Sequence, residues 1–381
     1  MQAQSPDQPS IGANAADDLK REVYGILGIP IDVADMPAVV RRIEAAAARG
    51  APFLISTANL NFLIASQTDV EFRESLLRSD LCTADGMPIV WIGRMLGIPV
   101  GVRIAGSDIF EALKSNNTAQ PLKVFLFGGA EGAAAAACSK LNATPGGLSC
   151  SGSYEPGFGG VEEMSTDAIL ASINASSADF LAVALGAKKG QAWLLRNHEC
   201  LRVPVRVHLG ATINFQAGTV QRAPLRVRQF GLEWLWRIKE EPQLWKRYWN
   251  DGLALLKLLV MRVLPLVVLD RWDRLKHRQK GHGLKVARSE DHNTVIFTMN
   301  GDATRQNIGE AVASFAEAAV STKNFDINLA EMRVIDARFL GLLLMLNKAL
   351  RGRHLELRFT GVSQRTARLF RLNGFGFLLQ N

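Results

Sequence analysis

Short apolar runs alternate with stretches of helical spacing along the chain from Arg41 to Gly210. Between the runs, apolar residues recur at helical spacing in residues 69–78, 132–141 and 162–173. The strand-like runs are rich in β-branched or aromatic residues, and several end in glycine: FLIST (53–57), LCTAD (81–85), LKVFLFGG (122–129), DFLAVALG (179–186) and VRVHLG (205–210). Repeated strand-then-helix units are typical of a largely parallel sheet covered on both faces. The pattern therefore predicts a Rossmann-like α/β fold.

The pattern changes after Gly210, where tryptophan and basic residues become frequent. Four of the chain's seven tryptophans lie in residues 222–269, and residues 222–288 hold 16 Lys and Arg against 6 Asp and Glu. The net charge of the whole chain is +8, so this segment accounts for the excess. Tryptophans with flanking cations suit a helix lying in the headgroups of an anionic membrane. Packing of these aromatics on the core, and binding to nucleic acid, are the alternatives.

A polar and basic stretch with almost no apolar periodicity covers residues 270–293, which indicates a linker. Alternating strand and helix patterns follow, over about 90 residues, which is enough to fold alone. We therefore divide the chain into a disordered tail (1–20), a Rossmann-like core (21–221), a basic, Trp-rich appendage (222–269), a linker (270–293) and a small α/β domain (294–381).

The sequence contains no segment that we expect to cross a membrane. Residues 1–20 lack the basic and apolar blocks of a signal peptide. The apolar run 253–269 contains Lys257, Arg262 and Pro265, and no run reaches the roughly 18 uninterrupted apolar residues that a spanning helix needs. We expect a cytoplasmic protein that is peripheral on the inner face of the membrane.

The four cysteines (Cys82, Cys138, Cys150 and Cys200) show neither CxxC spacing nor clustered histidines. Without such spacing, neither a disulfide framework nor a zinc site is indicated. We expect the cysteines to be reduced and mostly buried.

Polar side chains gather where the predicted strands end. Thr57 ends the first run, with Asn59 and Asn61 just after it, and Asp85 ends the second run. Arg103 precedes a helix whose N-cap is expected at Ser107 or Asp108. Ligands of open α/β sheets bind at this edge, so the residues are candidates for a small-molecule site. The alternatives are that Asp85 and Asn59 only cap helices, that Thr57 is a strand residue and that Arg103 is a surface charge.

Two glycine corners are candidates for phosphate contact. Gly128 and Gly129 lie between the clearest strand and an alanine-rich helix, where backbone amides can approach an anion. At the second corner, Gly186 precedes Lys188 and Gln191, which could meet phosphate or base. Neither corner is a GxGxxG or Walker motif, and tight turns are the alternative.

Several chemistries are disfavoured by missing motifs. There is no DxD sequence to hold a metal on a diphosphate, no HExxH and no GxSxG. We therefore expect neither a metal site nor a hydrolase triad.

Several motifs occur in the order and spacing of the WecG/TagA/CpsF glycosyltransferases, which residues 21–261 resemble. The motifs are TANLNFLIASQ, ADGMPIVW, RIAGSDIFEAL, VFLFGG, LGAKKGQAW and AGTVQRAP followed by LEWLWRIKEEP. The resemblance implies a peripheral membrane enzyme that transfers a sugar from a UDP-sugar to a polyprenyl-diphosphate-linked saccharide. It implies inversion at the anomeric carbon, no required metal or other cofactor, and a role in cell-surface polysaccharide (exopolysaccharide) biosynthesis.

The resemblance also implies roles for single residues. Asp85 matches the catalytic base and Thr57 and Asn59 the polar pair beside it. Arg103 matches a substrate-binding arginine and Gln191 a glutamine of the nucleotide pocket.

In the appendage, Arg222, Arg237 and Arg247 match arginines thought to hold the acceptor diphosphate where the appendage covers the active site. One departure stands at Leu244, where the family commonly has an arginine. The expected binding site for the acceptor diphosphate therefore has one positive charge fewer.

The last domain resembles a STAS domain, through VIDARFLGLLLMLNKALRGRHLELRFTGV. In that family a phosphorylatable Ser or Thr usually follows the turn, whereas Ala337 and Arg338 stand there in this chain. We therefore expect a domain that docks a protein partner and does not act as a phosphoswitch.

Taken together with the sequence patterns, the family resemblance implies an inverting glycosyltransferase. Asp85 would act as the general base, while amides at Gly128, Gly129 and Gly186, with Arg103, would stabilise the UDP leaving group. The alternative is a non-catalytic scaffold with a degenerate transferase fold and a partner-docking STAS-like domain.

Overall fold

The computed structural model describes residues 17–116, 120–276 and 283–380. The chain forms two compact units. Of the described residues, those within 34–91 and 100–256 form the larger unit, and those within 17–33, 92–99 and 257–380 form the smaller unit.

The described strands are β1 (Val23–Ile26), β2 (Ile29–Asp32), β3 (Phe53–Ala58), β4 (Leu81–Ala84), β5 (Leu122–Gly128), β6 (Leu148–Tyr154), β7 (Phe180–Ala184), β8 (Val205–His208), β9 (Lys285–Glu290), β10 (Thr294–Ala303), β11 (Asn324–Ile335) and β12 (Leu357–Thr360).

The α-helices of the larger unit are Met36–Arg49, Leu60–Ser66, Val70–Leu77, Met87–Met95, which crosses into the smaller unit, Gly106–Ser115, Ala133–Ala143, Asp167–Ala175, Ala187–Arg196, Thr212–Ala217, Leu225–Gln229 and Glu233–Glu240. Those further along the chain are Trp245–Leu258, Leu264–Lys276, Gly309–Ala318, Ala337–Arg351 and Gln364–Leu372.

A six-stranded sheet forms the centre of the larger unit, in the order β4-β3-β8-β7-β5-β6. All five strand pairs are parallel, so the carboxyl ends of all strands meet at one edge. Two apolar clusters cover the two faces of the sheet. The predicted parallel α/β fold is confirmed. From β5 the chain crosses one way to β6 and from β7 the other way to β8, which creates a crevice between β5 and β7 where such sheets bind ligands.

The cysteine prediction is wrong for one pair. Cys138 on helix Ala133–Ala143 and Cys150 on β6 form a disulfide, with their Cα atoms 5.2 Å apart. The pairing is tertiary, because the helix packs against the strand that follows it, and the spacing of cysteines along a sequence does not show such a contact. Of the remaining two, Cys82 is buried and Cys200 is exposed.

The smaller unit contains a four-stranded mixed sheet in the order β12-β11-β10-β9. Strands β10, β11 and β12 run parallel, and β9 is antiparallel at the edge. The antiparallel hairpin of β1 and β2 also belongs to this unit. The predicted separate α/β domain is therefore present, and it includes residues from both chain ends.

Parts of the predicted tail and linker are ordered elements. Residues 17–20 are helical and Leu19 is fully buried, while residues 1–16 lie outside the described part of the chain. Of the predicted linker, residues 270–276 are helical and residues 285–290 form β9, because this strand pairs with β10 despite its polar sequence. Residues 277–282 lie outside the described residues.

One helix, Pro242–Trp272, is long and apolar enough to cross a membrane by length and composition. This differs from the expectation that Lys257, Arg262 and Pro265 interrupt the run too strongly. The helix continues through Pro265 because a π-helical turn, Leu259–Val263, precedes it. Such a turn accommodates the missing N–H donor of proline.

Candidate active site

Asp85 lies at the carboxyl edge of the parallel sheet, directly after β4. Its backbone N–H donates to the Ala58 carbonyl at 2.8 Å, which continues the pairing of β4 with β3 beyond the strand end. The next residue, Gly86, has a φ of +123°, in the left-handed region that glycine favours. This turn directs the chain into helix Met87–Met95 and leaves the carboxylate at the sheet edge.

The Asp85 carboxylate is largely buried and held between groups of both charges. It accepts a hydrogen bond from the Gly106 N–H, at the start of helix Gly106–Ser115, and lies 3.9 Å from the Arg103 guanidinium. Burial raises the pKa of Asp85 to about 7, against the opposing effect of Arg103 and with a further rise from Glu233 and Asp108. Since 22% of its side-chain surface is exposed, the carboxylate remains accessible to a substrate.

Arg103 connects Asp85 to two other carboxylates. Its Nη1 donates to Glu233 Oε2 at 2.8 Å and its Nη2 donates to Asp108 Oδ2 at 2.9 Å. Glu233 belongs to the appendage, so this ion pair joins the appendage to the residue beside Asp85.

Asp108 is the point where three arginines converge. Besides Arg103, it accepts a hydrogen bond from Arg222 and one from Arg228 Nη1 at 2.9 Å. Arg222 also donates to Ser107 Oγ at 2.7 Å. The Nε atoms of Arg222 and Arg228 are buried without a hydrogen-bond partner. We call Arg103, Arg222, Arg228, Asp108 and Glu233 the arginine cluster.

Thr57 lies on β3, the strand that neighbours β4, and Asn59 follows directly after that strand. Thr57 pairs in register with Thr83, and its side chain faces Gly106, where an added Cβ would lie 3.3 Å from Thr57 Oγ1. Asn59 caps helix Leu60–Ser66 by accepting from the Phe62 N–H at 3.2 Å. The capping role considered for Asn59 is therefore present, and its Cβ also lies beside Gly86.

The glycine corners flank the crevice between β5 and β7. Gly128 and Gly129 both have positive φ, and a Cβ on Gly128 would lie 2.7 Å from the Ala184 carbonyl oxygen. Glycine is needed here because the two strand ends approach so closely. The Gly129 N–H donates to that same carbonyl at 2.9 Å. Gly186 is the N-cap residue of helix Ala187–Arg196.

The start of helix Ala133–Ala143 already carries an anion from the protein. The Glu155 carboxylate accepts hydrogen bonds from the Gly132 N–H at 2.8 Å and from the Ala134 N–H at 2.9 Å. Asn214 Oδ1 accepts from the Ala130 N–H at 3.1 Å. These backbone amides, whose position would suit a phosphate, are therefore already hydrogen-bonded to side chains of the protein.

Gln191 is fully buried and bonded to Ser56 of β3, to which its Nε2 donates at 3.2 Å. It lies one helical turn beyond Gly186, which puts it near the strand ends but inside the protein. A direct contact with a nucleotide would require this side chain to move.

Arg237 and Arg247 each lie beside a carboxylate four residues further along the chain. Arg237 Nε donates to Glu241 at 3.1 Å, and Arg247 Nε lies 3.8 Å from Asp251. Asp251 in turn is hydrogen-bonded to Asn61, just after β3. Of the three predicted acceptor arginines, the structure brings only Arg222 into contact with the surroundings of Asp85.

Sequence reasoning missed Arg228 and Glu233 and treated Asp108 only as a possible helix cap. The signal available was the Arg-Val-Arg sequence at 226–228 and an acidic residue, Glu233, in a segment rich in basic residues. A pattern of charges along a chain does not show which cation meets which carboxylate, so these partners became visible only in the structure.

Among the residues that the structure describes, no three His, Cys, Asp or Glu side chains are placed to hold a metal ion. The expectation of a metal-independent reaction stays a prediction.

Comparison with known proteins gives two family matches. The family described as glycosyl transferase WecG/TagA/CpsF matches residues 24–266, and a family described as Mlab, STAS domain matches residues 286–380. Both resemblances noted in the sequence are confirmed.

Two similar proteins bear the same name, N-acetylglucosaminyldiphosphoundecaprenol N-acetyl-beta-D-mannosaminyltransferase. The one from Bacillus spizizenii (strain ATCC 23059 / NRRL B-14472 / W23) is 28% identical over 193 residues, which is 51% of this chain and 73% of the relative. The one from Bacillus subtilis (strain 168) is 26% identical over 194 residues, which is 51% of this chain and 74% of the relative.

Proposed function

Because the chain belongs to the WecG/TagA/CpsF family of glycosyltransferases, we propose that it transfers a sugar from a UDP-sugar to a saccharide on polyprenyl diphosphate. The acceptor class follows from the names of the two relatives, which act on an N-acetylglucosaminyl-diphosphoundecaprenol. The observation that carries the proposal is the position of Asp85, an accessible carboxylate with a raised pKa at the carboxyl edge of the sheet.

In the proposed reaction Asp85 is the general base. An acceptor hydroxyl oxygen attacks the anomeric carbon of the donor sugar while its proton passes to the carboxylate. The bond from that carbon to the UDP oxygen breaks, the electron pair leaves with UDP, and the configuration inverts. A base with a pKa near 7 is well matched to this step at neutral pH, and such bases typically contribute about 10²- to 10⁴-fold to the rate.

The arginine cluster supplies the positive charge that a diphosphate needs. Arg103, Arg222 and Arg228 all point at one carboxylate, and two of them keep a buried Nε without a partner. An entering diphosphate would exchange bonds with Asp108 and Glu233, since guanidinium groups bind phosphate and carboxylate in the same bidentate manner. Charge on the leaving group would be stabilised by these fixed cations.

The appendage supports a reaction at a membrane surface. Trp234, Trp245 and Trp249 of the larger unit expose 44%, 53% and 64% of their surface, so they do not fill its core. Tryptophans next to Lys and Arg are the side chains expected in lipid headgroups. We propose that these residues contact the inner face of the membrane, where a lipid-linked acceptor resides.

The experiment is a transfer assay with a panel of UDP-sugars and an N-acetylglucosaminyl-diphosphate polyprenyl acceptor, in which release of UDP is measured. We expect release with one donor or a few, and at least about 10²-fold less with the Asp85→Asn variant. Near-normal turnover by this variant would exclude Asp85 as the base.

A binding control separates loss of chemistry from loss of the site. UDP should raise the melting temperature of both the wild type and Asp85→Asn, because a ligand at 100 times its dissociation constant stabilises by about 2.7 kcal/mol. No shift for either protein, with no UDP release from any donor, would contradict the proposed donor class.

A further inference from the structure

In the smaller unit, helix Ala337–Arg351 is buried on every side. Its sequence, ARFLGLLLMLNKALR, is apolar around the whole circumference, and such a helix must be covered on both faces. One face packs on its own sheet, on β11 and β12. The other face packs on the hairpin of β1 and β2. We call residues 17–33, which contain this hairpin, the N-terminal segment.

The hairpin depends on this contact. All eight residues of β1 and β2 are buried, including Val23, Ile26, Ile29 and Ile31 at 0% exposure. A two-stranded hairpin alone is at best marginally stable in water. The helix of the STAS-like domain therefore supplies the apolar surface on which the hairpin is ordered.

Glycines allow the two backbones to touch. A Cβ on Gly341 would lie 2.1 Å from the Val23 carbonyl oxygen, closer than any real contact. From the other side, a Cβ on Gly25 would lie 2.6 Å from the Phe375 ring and 3.0 Å from Leu340 Cβ. A larger residue at either glycine would therefore disturb the contact between the helix and the hairpin.

Polar bonds fix the register of the segment on the helix. Arg338, buried in the first turn of the helix, donates from Nη1 to the Val23 carbonyl at 3.2 Å. Lys348 pairs with Asp18 at 2.9 Å, with both side chains largely buried. Asp18 also pairs with Arg21 at 2.6 Å. A buried ion pair fixes geometry more than it adds stability.

We propose that the partner of the STAS-like domain is this chain's own N-terminal segment. The domain acts as a permanent internal support for residues 17–33 and does not recruit a separate regulator through this helix. Arg338 stands where a phosphorylatable residue is usual, and it is committed to the Val23 carbonyl. The family match to the transferase begins at residue 24, so the supported hairpin is part of the transferase sequence itself.

The test is amide hydrogen exchange on the full chain, comparing Gly341→Ala with Gly309→Ala. Alanine normally stabilises a helix relative to glycine, and a Cβ on Gly309 meets nothing within 4 Å. We expect Gly309→Ala to leave the amide exchange rates of residues 23–32 unchanged. Gly341→Ala should speed exchange of the amides of residues 23–32 by about tenfold or more, because the hairpin must move away.

A second variant, in the hairpin, tests the same contact without changing the helix, so that misfolding of the helix cannot explain the result. Gly25→Ala changes only the hairpin surface and should speed exchange in the same residues while β10 and β11 stay protected. Unchanged exchange of residues 23–32 in both Gly25→Ala and Gly341→Ala would overturn the proposal. So would loss of hairpin protection in the wild type on roughly 100-fold dilution, since the segment would then come from a second copy.

Discussion

The burial of Asp85 has opposite consequences for activity and for stability. Its pKa rises from the ordinary 3.8 to about 7, chiefly because burial disfavours the charged form. Between these two values the folded protein keeps a proton that the unfolded chain releases. The wild type therefore loses stability as pH rises through this range, and the cost is complete above about 7.

We accordingly expect Asp85→Asn to be more stable than the wild type at pH 8, because the neutral amide avoids the buried charge. The gain should approach roughly 1.4 kcal/mol for each unit by which the wild-type pKa is raised, and it should shrink towards pH 5. Urea unfolding at both pH values measures it. The exposed Asp167→Asn is the matched control, and an equal gain at pH 5 and pH 8 would contradict the assignment.

Glu233 is expected to tune the base. It raises the pKa of Asp85 and shares Arg103 with it, so Glu233→Gln should lower that pKa. The acidic limb of the pH profile of kcat/KM, which we expect near 7 in the wild type from the pKa of Asp85, should then move to lower pH.

The control for this shift is Glu240→Gln, an exposed change on the same helix, which should leave the profile in place. A shift of the acidic limb to higher pH in Glu233→Gln would show that the pKa of Asp85 is set in another way.

At this scale the sequence predicted which residues reach the sheet edge but not how they pair. Asp85 and Asn59 directly follow the adjacent strands β4 and β3, and Thr57 lies near the end of β3. Periodicity and strand ends were therefore enough to place them at the same sheet edge. Gln191 was placed near the nucleotide pocket by resemblance, whereas its side chain is buried against Ser56. Which side chains bond to each other depends on the directions in which they point, and the periodicity of a sequence does not show those directions.

Two helices of the appendage are packed incompletely. Helix Glu233–Glu240 and helix Trp245–Leu258 contain no buried residue, and they are linked to the larger unit by ion pairs and hydrogen bonds such as those of Glu233 and Asp251. Elements with few buried apolar contacts are the ones that move or bind a further surface. A membrane would provide that surface.

We expect Trp249→Ala to weaken binding to anionic vesicles by roughly tenfold, because one exposed indole of this size contributes on the order of 1–3 kcal/mol when buried. Sedimentation with vesicles containing phosphatidylglycerol measures the loss. Val320→Ala, which removes an exposed apolar side chain of the STAS-like domain, should sediment like the wild type. Equal sedimentation of all three proteins would argue against the membrane contact.

Element prediction failed where a local pattern was overridden by its surroundings. The stretch 285–290 is polar enough for a linker, yet it forms β9 by pairing with β10 at the edge of a sheet. An edge strand with one solvated face needs few apolar residues. Likewise, the helix through Pro265 persists because of a π-helical turn that no composition rule anticipates.

For the whole molecule, the two families and the parallel sheet were visible in the sequence, whereas the assignment of residues to compact units was not. Boundaries placed at changes of composition separate residues 21–33 from the last domain. The structure instead groups residues 17–33 with the described residues of 257–380. Long-range apolar contacts decided this grouping, and they leave no trace in local periodicity.

The contact between Gly25 and Leu340 joins positions about 300 residues apart, and this separation imposes an order on biosynthesis. The hairpin leaves the ribosome first, and the helix that covers it follows roughly 15 to 60 seconds later at ordinary elongation rates. Until then its apolar strands have no native cover. The chain is therefore expected to need chaperone protection at its beginning, and translation that stops before the last domain should yield an aggregation-prone product.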